Sequence, residues 1–385
     1  MWDAGGGDRP NAGIGVDDGR ITFERPAGAR AFDMTGRTIL PGLCDMHVHS
    51  FGGTFDGEMM IAAGVTTARD AGSWLSGVLR HRDEAEAGGR LGPRLFVTGP
   101  YLVGGGALTD QEIQAGGPEG AAGVVETLAD AGVDGIKVHR GIDAATLHRV
   151  VESAHERGIW VAAHLDGVTA VEAARAGVDT IEHASGLPDA QMATGPGDDA
   201  IIETLIAAGT ALVPTLAVAE NSFLILEKAH GDAPEFAAIP WLYRRLWIRG
   251  QIDNARAARL TGAEIDRRKR QFERLLDFTH RFHRAGGRIL AGSDAPAFLV
   301  PPGGGLHREL ELLVAAGLSP HAALTAATAD AARALGQKTL GTLSPGARAD
   351  LIVVEGSPFD VGGISAVRRT VMVVKDGRIL RDRLH

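Results

Sequence analysis

Two histidines one residue apart close an apolar run, His47 and His49 in "LPGLCDMHVHS". In an extended chain both imidazoles face one way and Val48 the other. Paired imidazoles hold a divalent cation or move a proton, and either use needs further groups aimed at the same point. Candidates stand at the ends of other apolar runs: Lys137 in "GVDGIKV", His164 after "GIWVAA", His183 after "GVDTIE" and Asp294 in "GGRILAGSD". Among 14 histidines some end a strand by accident, so a lone one is read as a structural support. Four imidazoles, a lysine and a carboxylate delivered by five of the eight strands form a metal-binding pattern, and six such side chains can enclose two ions. Lys137 is the odd member. An ammonium cannot ligate a metal and is costly in a buried strand unless paired or neutralised; an ion pair with Asp294 is its alternative role.

The elements that must position these groups repeat regularly. Strand-like runs lie at 38–47, 64–70, 94–99, 132–138, 158–164, 177–183, 209–217 and 286–294. They are apolar without strict alternation, as in strands buried on both faces. Amphipathic segments such as "DAATLHRVVESAHERG" (143–158) and "VTAVEAARAG" (168–177) separate them. Eight such units predict an α/β chain folded as a TIM-like (β/α)8 barrel over 38–339, with its chemistry at the C-terminal strand ends. An open doubly wound sheet is the fallback, but "GGTFDG" after the first run is not a dinucleotide loop. Turn-punctuated strands at 1–37 and 340–385 are expected to pair into a small composite β-sandwich.

The net charge of −9, without a block of like charges, argues against nucleic acid or an anionic membrane as partner. No apolar stretch reaches the ~18 residues of a membrane helix, and "MWDAGGGDRPNAGIG" lacks the pattern of a secretion signal, so the expected location is cytoplasmic. One cysteine, Cys44, excludes an intrachain disulfide. A small-molecule substrate is the expected partner, with self-association into a homo-oligomer left open.

"GRTILPGLCDMHVHS", "GVTTARDAGS" and "GTLSPGARADLIVVEGSPF" resemble the amidohydrolase superfamily, in its imidazolonepropionase-like and prolidase-like (Xaa-Pro dipeptidase-like) two-metal branch, over nearly the whole chain. The resemblance implies a metal-dependent hydrolase of carbon–nitrogen bonds, and a dipeptide or N-acyl amino acid as substrate. It implies that Lys137 carries a CO2-derived carbamate bridging two divalent ions, zinc first among them. His47, His49 and Asp294 would hold the more buried ion, and His164 with His183 the more exposed one. A hydroxide bridging the ions would attack the carbonyl, with Asp294 as general base and then acid. The His-x-x-Glu of mononuclear deaminases is missing, since "LDGVTA" follows His164. A mononuclear deaminase, an imidazolone-type cyclic amide hydrolase and a lactonase remain alternatives. A non-catalytic scaffold is disfavoured because all six positions are kept.

The stretch "TGPYLVGGGALTD" departs from related peptidases, with Gly106 where a histidine is expected. His139 shares the parity of Lys137 and is a candidate substrate contact or a supporting histidine. Tyr101 lies where a loop could close over substrate. Asp70 faces the mouth to orient a ligand or loop, or caps the next helix. Alternation turns Glu182 away from the metals and into a structural pair. The insertion 218–275 reads as a wall helix or a cap. Its Arg244, Arg245 and Arg249 could hold a substrate carboxylate but read better as a solvated face.

Overall fold

The computed structural model describes residues 1–384 apart from Gly6, Asn11, 51–53, 188–195, 226–235, 237, 238, 240, 258 and 259. Seven parallel strands, here called first to seventh, are Leu43–Val48, Val65–Asp70, Arg94–Val97, Gly135–Val138, Trp160–Ala163, Thr180–Glu182 and Ala211–Val213. The extended segment 288–295 takes the eighth place, through parallel bridges of Ile289 to Leu212 and of Ala295 to Val48. Neighbours pair in chain order. The third meets the fourth where the Asp134 N–H donates to the Val97 carbonyl at 2.8 Å. The sheet closes on itself, so the fold is the (β/α)8 barrel that the run of apolar segments predicts. Every residue of the first, second and fourth strands is buried, which is why these runs do not alternate.

Local signals set the helices between them. Asp143 caps the helix Ala144–Glu156 by accepting from the Thr146 N–H, and Gly158 follows its end in the left-handed region. Thr169 and Glu172 form a reciprocal capping box on Ala170–Ala176, which Gly177 ends at φ 90°. Met46, Phe96, Val213 and Leu290 pack with Ala332 and Leu335 into a separate apolar cluster.

The run expected as one strand over 38–47 is two. Gly42 divides Arg37–Pro41 from Leu43–Val48, and a Cβ on Gly42 would come within 2.1 Å of the Thr66 hydroxyl. Only glycine lets the chain pass so close and turn out of the barrel. Arg37–Pro41 instead lies antiparallel to Leu351–Glu355 in a four-stranded sheet completed by Thr370–Lys375 and Arg378–Asp382. The hairpin Gly15–Asp17 and Arg20–Thr22 packs on this sheet through Ile21, which shares a core with Ile39, Val353, Met372 and Val374. Both termini thus build one antiparallel unit beside the barrel.

The insertion after the seventh strand forms the helices Leu216–Leu224, Trp241–Ala257 and Gly262–Arg284, and the parts of it named above lie outside the described residues. Ile248 packs with Ile225, Phe236, Ile239 and Leu299, while Trp241, Leu242 and Leu246 stand exposed. No described helix is long and apolar enough to cross a membrane.

Candidate metal centre

The first strand carries His47 and His49 to the segment that brings in Asp294. Asp294 Oδ1 lies 3.5 Å from His47 Nε2 and 3.0 Å from His49 Nε2. One donor atom from each of the three lies within 4.8 Å of the others, close enough to share an ion.

The remaining rings complete a circle. His47 lies 4.8 Å from His183, His183 4.8 Å from His164, and His164 4.4 Å from His139, centroid to centroid. His139 lies 5.2 Å from Tyr101, Tyr101 5.7 Å from His49, and His49 5.2 Å from His47. The fourth, fifth and sixth strands thus deliver His139, His164 and His183 to the same point as the first. Lys137 is 1 % exposed, and its Nζ has no hydrogen-bond partner among the described residues. Its charge bears on His47, His139, His164 and His183 alike.

Burial, followed by mutual repulsion, holds the imidazoles neutral. It brings His164 down to about 3 and His139 to about 4, and His47 and His183 well below their ordinary range. Neutral imidazole is the form that binds metal. His49 moves the other way: burial opposes its charge, but the bond and charge of Asp294 outweigh burial. Burial also lowers the Lys137 ammonium to about 8 and raises the Tyr101 phenol.

Three of these imidazoles, His47, His49 and His183, are aimed by a bond on the nitrogen opposite the centre. His49 Nδ1 donates to the Gly72 carbonyl at 3.0 Å. His183 Nδ1 lies 2.6 Å from the Thr215 hydroxyl, whose own proton goes to the Pro214 carbonyl, so the imidazole is the donor and Nε2 keeps its lone pair. Thr215 starts the helix Leu216–Leu224, and the buried Glu309 accepts the Ala217 N–H there at 2.8 Å. The second oxygen of Glu309 is buried with no hydrogen-bond partner among the described residues, and burial raises its carboxyl to about 8. Beneath the ligands, Asp45 joins the first strand to the eighth segment by accepting the Ser293 N–H and hydroxyl at 2.9 and 2.6 Å.

His47 is aimed by the residue that alternation turned away. Glu182 Oε2 lies 2.5 Å from His47 Nδ1, while Oε1 accepts from Arg69 at 2.6 Å and from Thr180 at 2.7 Å. Arg69 also donates to the Met46 carbonyl at 2.6 Å. Glu182 forms the structural pair expected of it, with Arg69, but does not point away from the candidate ligands, and the backbone shows why. The strand ends at Glu182 and His183 turns in at φ 60°, so the two neighbours both point inward. Asp294 has φ 58° and Thr215 φ 50°, strained values of the kind held at functional sites. Arg69 and Thr180 were not singled out from sequence, although a charged residue in an otherwise buried strand was a usable signal.

Asp70 accepts from Ser50 N–H at 2.6 Å, Gly72 N–H at 3.1 Å and the Ser73 hydroxyl at 2.8 Å. It fastens the loops after the first two strands, including the carbonyl that orients His49. Tyr101 lies over Gly72, where a Cβ would meet its ring at 1.8 Å. Arg244 reaches the Phe236 carbonyl and Arg249 stands exposed beside Asp253.

A barrel with a histidine-rich centre at its strand ends has many relatives, and comparison identifies the family. Residues 38–380 match the amidohydrolase family. The chain belongs to that family. This amidohydrolase is similar in structure to a protein of Bifidobacterium longum assigned as a prolidase, with 28% identity, TM-score 0.76, and 95% of this chain and 88% of that one covered. It is also similar to bottromycin amidohydrolase, at 27% identity and TM-score 0.75 over 96% of this chain and 83% of that one. An imidazolonepropionase of Anaeromyxobacter dehalogenans is 45% identical over 67 residues, 17% of this chain and 16% of that protein. The chain spans less than a fifth of the length of the curated relatives it matches. Amidohydrolases are hydrolases of carbon–nitrogen bonds.

Proposed function

We propose that this amidohydrolase uses two divalent cations, zinc first among those its donors suit, to hydrolyse the amide bond of a dipeptide or N-acyl amino acid. The observation that carries the two-ion reading is Lys137, whose buried amine has no hydrogen-bond partner among the described residues and sits among neutral imidazoles. A lysine brought down to about 8 offers free amine at neutral pH, the form that takes up CO2. The carbamate would turn an unpaired cation into an anion with two oxygens, which fits a place between two ions. His47, His49 and Asp294 would hold one ion, and His164 with His183 the other. Cations so bound supply an acidified water and polarise the scissile carbonyl.

The chain's own residues supply the rest. Asp294 Oδ1, within 3.5 Å of two ligand imidazoles, takes a proton from the attacking water and returns it to the departing amine. Glu182, Thr215 and the Gly72 carbonyl keep the imidazole lone pairs pointed inward. Tyr101 and His139, on the arc of the ring that holds neither ion, meet the substrate. Asp70 acts through the loops it holds.

Metal analysis of protein expressed with zinc and bicarbonate tests this reading, together with a library of dipeptides and N-acyl amino acids. About two ions per chain, falling in Lys137→Ala together with hydrolysis, is the expected result. One ion per chain with Lys137→Ala unchanged would remove the bridging lysine and leave a mononuclear hydrolase or deaminase.

A further inference from the structure

A cavity of about 450 Å³ lies where the loop from the helix Leu75–Glu86 to the third strand meets the four-stranded terminal sheet. Loops that lead into barrel strands lie on the face opposite the strand C-termini. The cavity is therefore on the other side of the barrel from His47 and Asp294, and it shares no lining residue with the candidate metal centre. Its volume falls within the ~300 to 1,000 Å³ usual for small-molecule sites. Ala85, Leu91 and Leu380 line part of it, and Arg348, Lys375 and Arg378 bring positive charge to the rest.

Those three cations are poorly compensated. Lys375 and Arg378 stand directly opposite each other across the antiparallel strands Thr370–Lys375 and Arg378–Asp382, so both side chains leave the same face of the sheet. Like charges in that position repel. Arg348 donates to Asp376 Oδ1 at 3.3 Å, but that oxygen already accepts from Arg94 at 2.6 Å. Lys375 Nζ is 4.0 Å from Asp376 Oδ2, beyond hydrogen-bonding distance. Asp350 is taken by Arg94 at 2.6 Å and by the Asp376 N–H at 2.7 Å. Arg90, also on the wall, has Glu84 at 3.4 Å, and Glu86 stands exposed at the rim.

Lys375 is the telling member. It is 7 % exposed, and among the described residues its ammonium has no closer partner than that distant Asp376 oxygen. Burial and then the charge of Arg94 lower it below its ordinary range, against the pull of Asp376, Asp350 and Glu86. Arg378 has no ion pair among the described residues, and its guanidinium lies beside Gly88, where a Cβ would come within 3.3 Å of Nη1.

We propose that this cavity binds a phosphate-like dianion, as free phosphate or as the head of a small phosphate monoester, through Lys375, Arg348 and Arg378. A dianion there turns a repelling cross-strand pair into two attractive contacts and gives the buried ammonium the partner it lacks. The body of a monoester would lie against Leu91 and Leu380. Such a ligand touches the barrel loop and the terminal sheet together, so it binds the folded protein and stabilises it. The assignment is independent of the reaction at the metal centre.

Calorimetric titration of the metal-loaded protein with inorganic phosphate and with glycerol 3-phosphate tests this. Because phosphate also ligates metal ions, His49→Ala is titrated in parallel. Saturable binding in wild type and in His49→Ala is expected. Arg378→Ala, at an exposed position, should weaken it roughly 10- to 100-fold, the worth of a hydrogen bond to a charged group. Lys375→Met, which keeps the buried stem, should do the same; melting is recorded alongside, and Arg378→Ala decides if that variant does not fold. Tighter binding of glycerol 3-phosphate would support a monoester as occupant, and tighter binding of inorganic phosphate would support the free ion. No saturable binding of either, binding lost in His49→Ala, or binding unchanged in Arg378→Ala would overturn the proposal.

Discussion

Replacing Glu309 by glutamine should make the protein more stable at high pH and leave it nearly unchanged at low pH. One oxygen of Glu309 accepts the Ala217 N–H at 2.8 Å, the Leu216 N–H also faces the carboxyl, and the other oxygen is buried with no hydrogen-bond partner among the described residues. Burial raises the carboxyl from 4.5 to about 8, so the folded protein keeps a proton that the unfolded chain releases. Below about pH 4.5 both states are protonated and the neutral side chain contributes fully. As pH rises from there to about 8, the unfolded chain ionises first and stability drains away; above 8 the loss is complete and constant. At about 1.4 kcal/mol per pH unit, the loss comes to roughly 5 kcal/mol by pH 9. Glutamine has the shape and hydrogen-bonding of the protonated acid and cannot ionise. Urea unfolding of chelator-treated wild type and Glu309→Gln at pH 5, 7 and 9 reads the difference directly. A gap that widens with pH by several kcal/mol is expected. A gap constant to within about 0.5 kcal/mol, or a variant that weakens as pH rises, would show that Glu309 is not held neutral and refute the argument.

Two further substitutions probe the centre itself. Asp294→Asn should lower kcat by roughly 10²- to 10⁴-fold, the usual worth of a positioned acid–base group; with metal content measured in parallel, a loss under tenfold would assign the proton to another residue. Glu182→Gln should weaken metal retention against a competing chelator by roughly 10- to 100-fold through misaimed His47, and unchanged retention would reduce Glu182 to a structural partner of Arg69.

Much of this centre was legible because strand geometry is simple. His47 and His49 share a face by alternation, and Lys137, His164, His183 and Asp294 each follow an apolar run that ends at the mouth. What stayed hidden depends on backbone turns that alternation does not describe. Glu182 was assigned outward by counting back from His183, yet the left-handed backbone at His183 cancels the count. The division of the first run at Gly42 follows from a contact with Thr66, more than twenty residues away.

The joint at Gly42 also bears on the order in which the molecule can be made. Arg37–Pro41 is a single residue away from the strand that carries His47, yet it pairs with Leu351–Glu355. At ordinary translation speeds the partner emerges about 15–60 s later. Through that interval Ile39 and Leu40 sit on an unpaired edge, and Asp294 has also to be synthesised before the first strand can meet its carboxylate. The candidate group of His47, His49 and Asp294 can therefore form only after the eighth segment has been made.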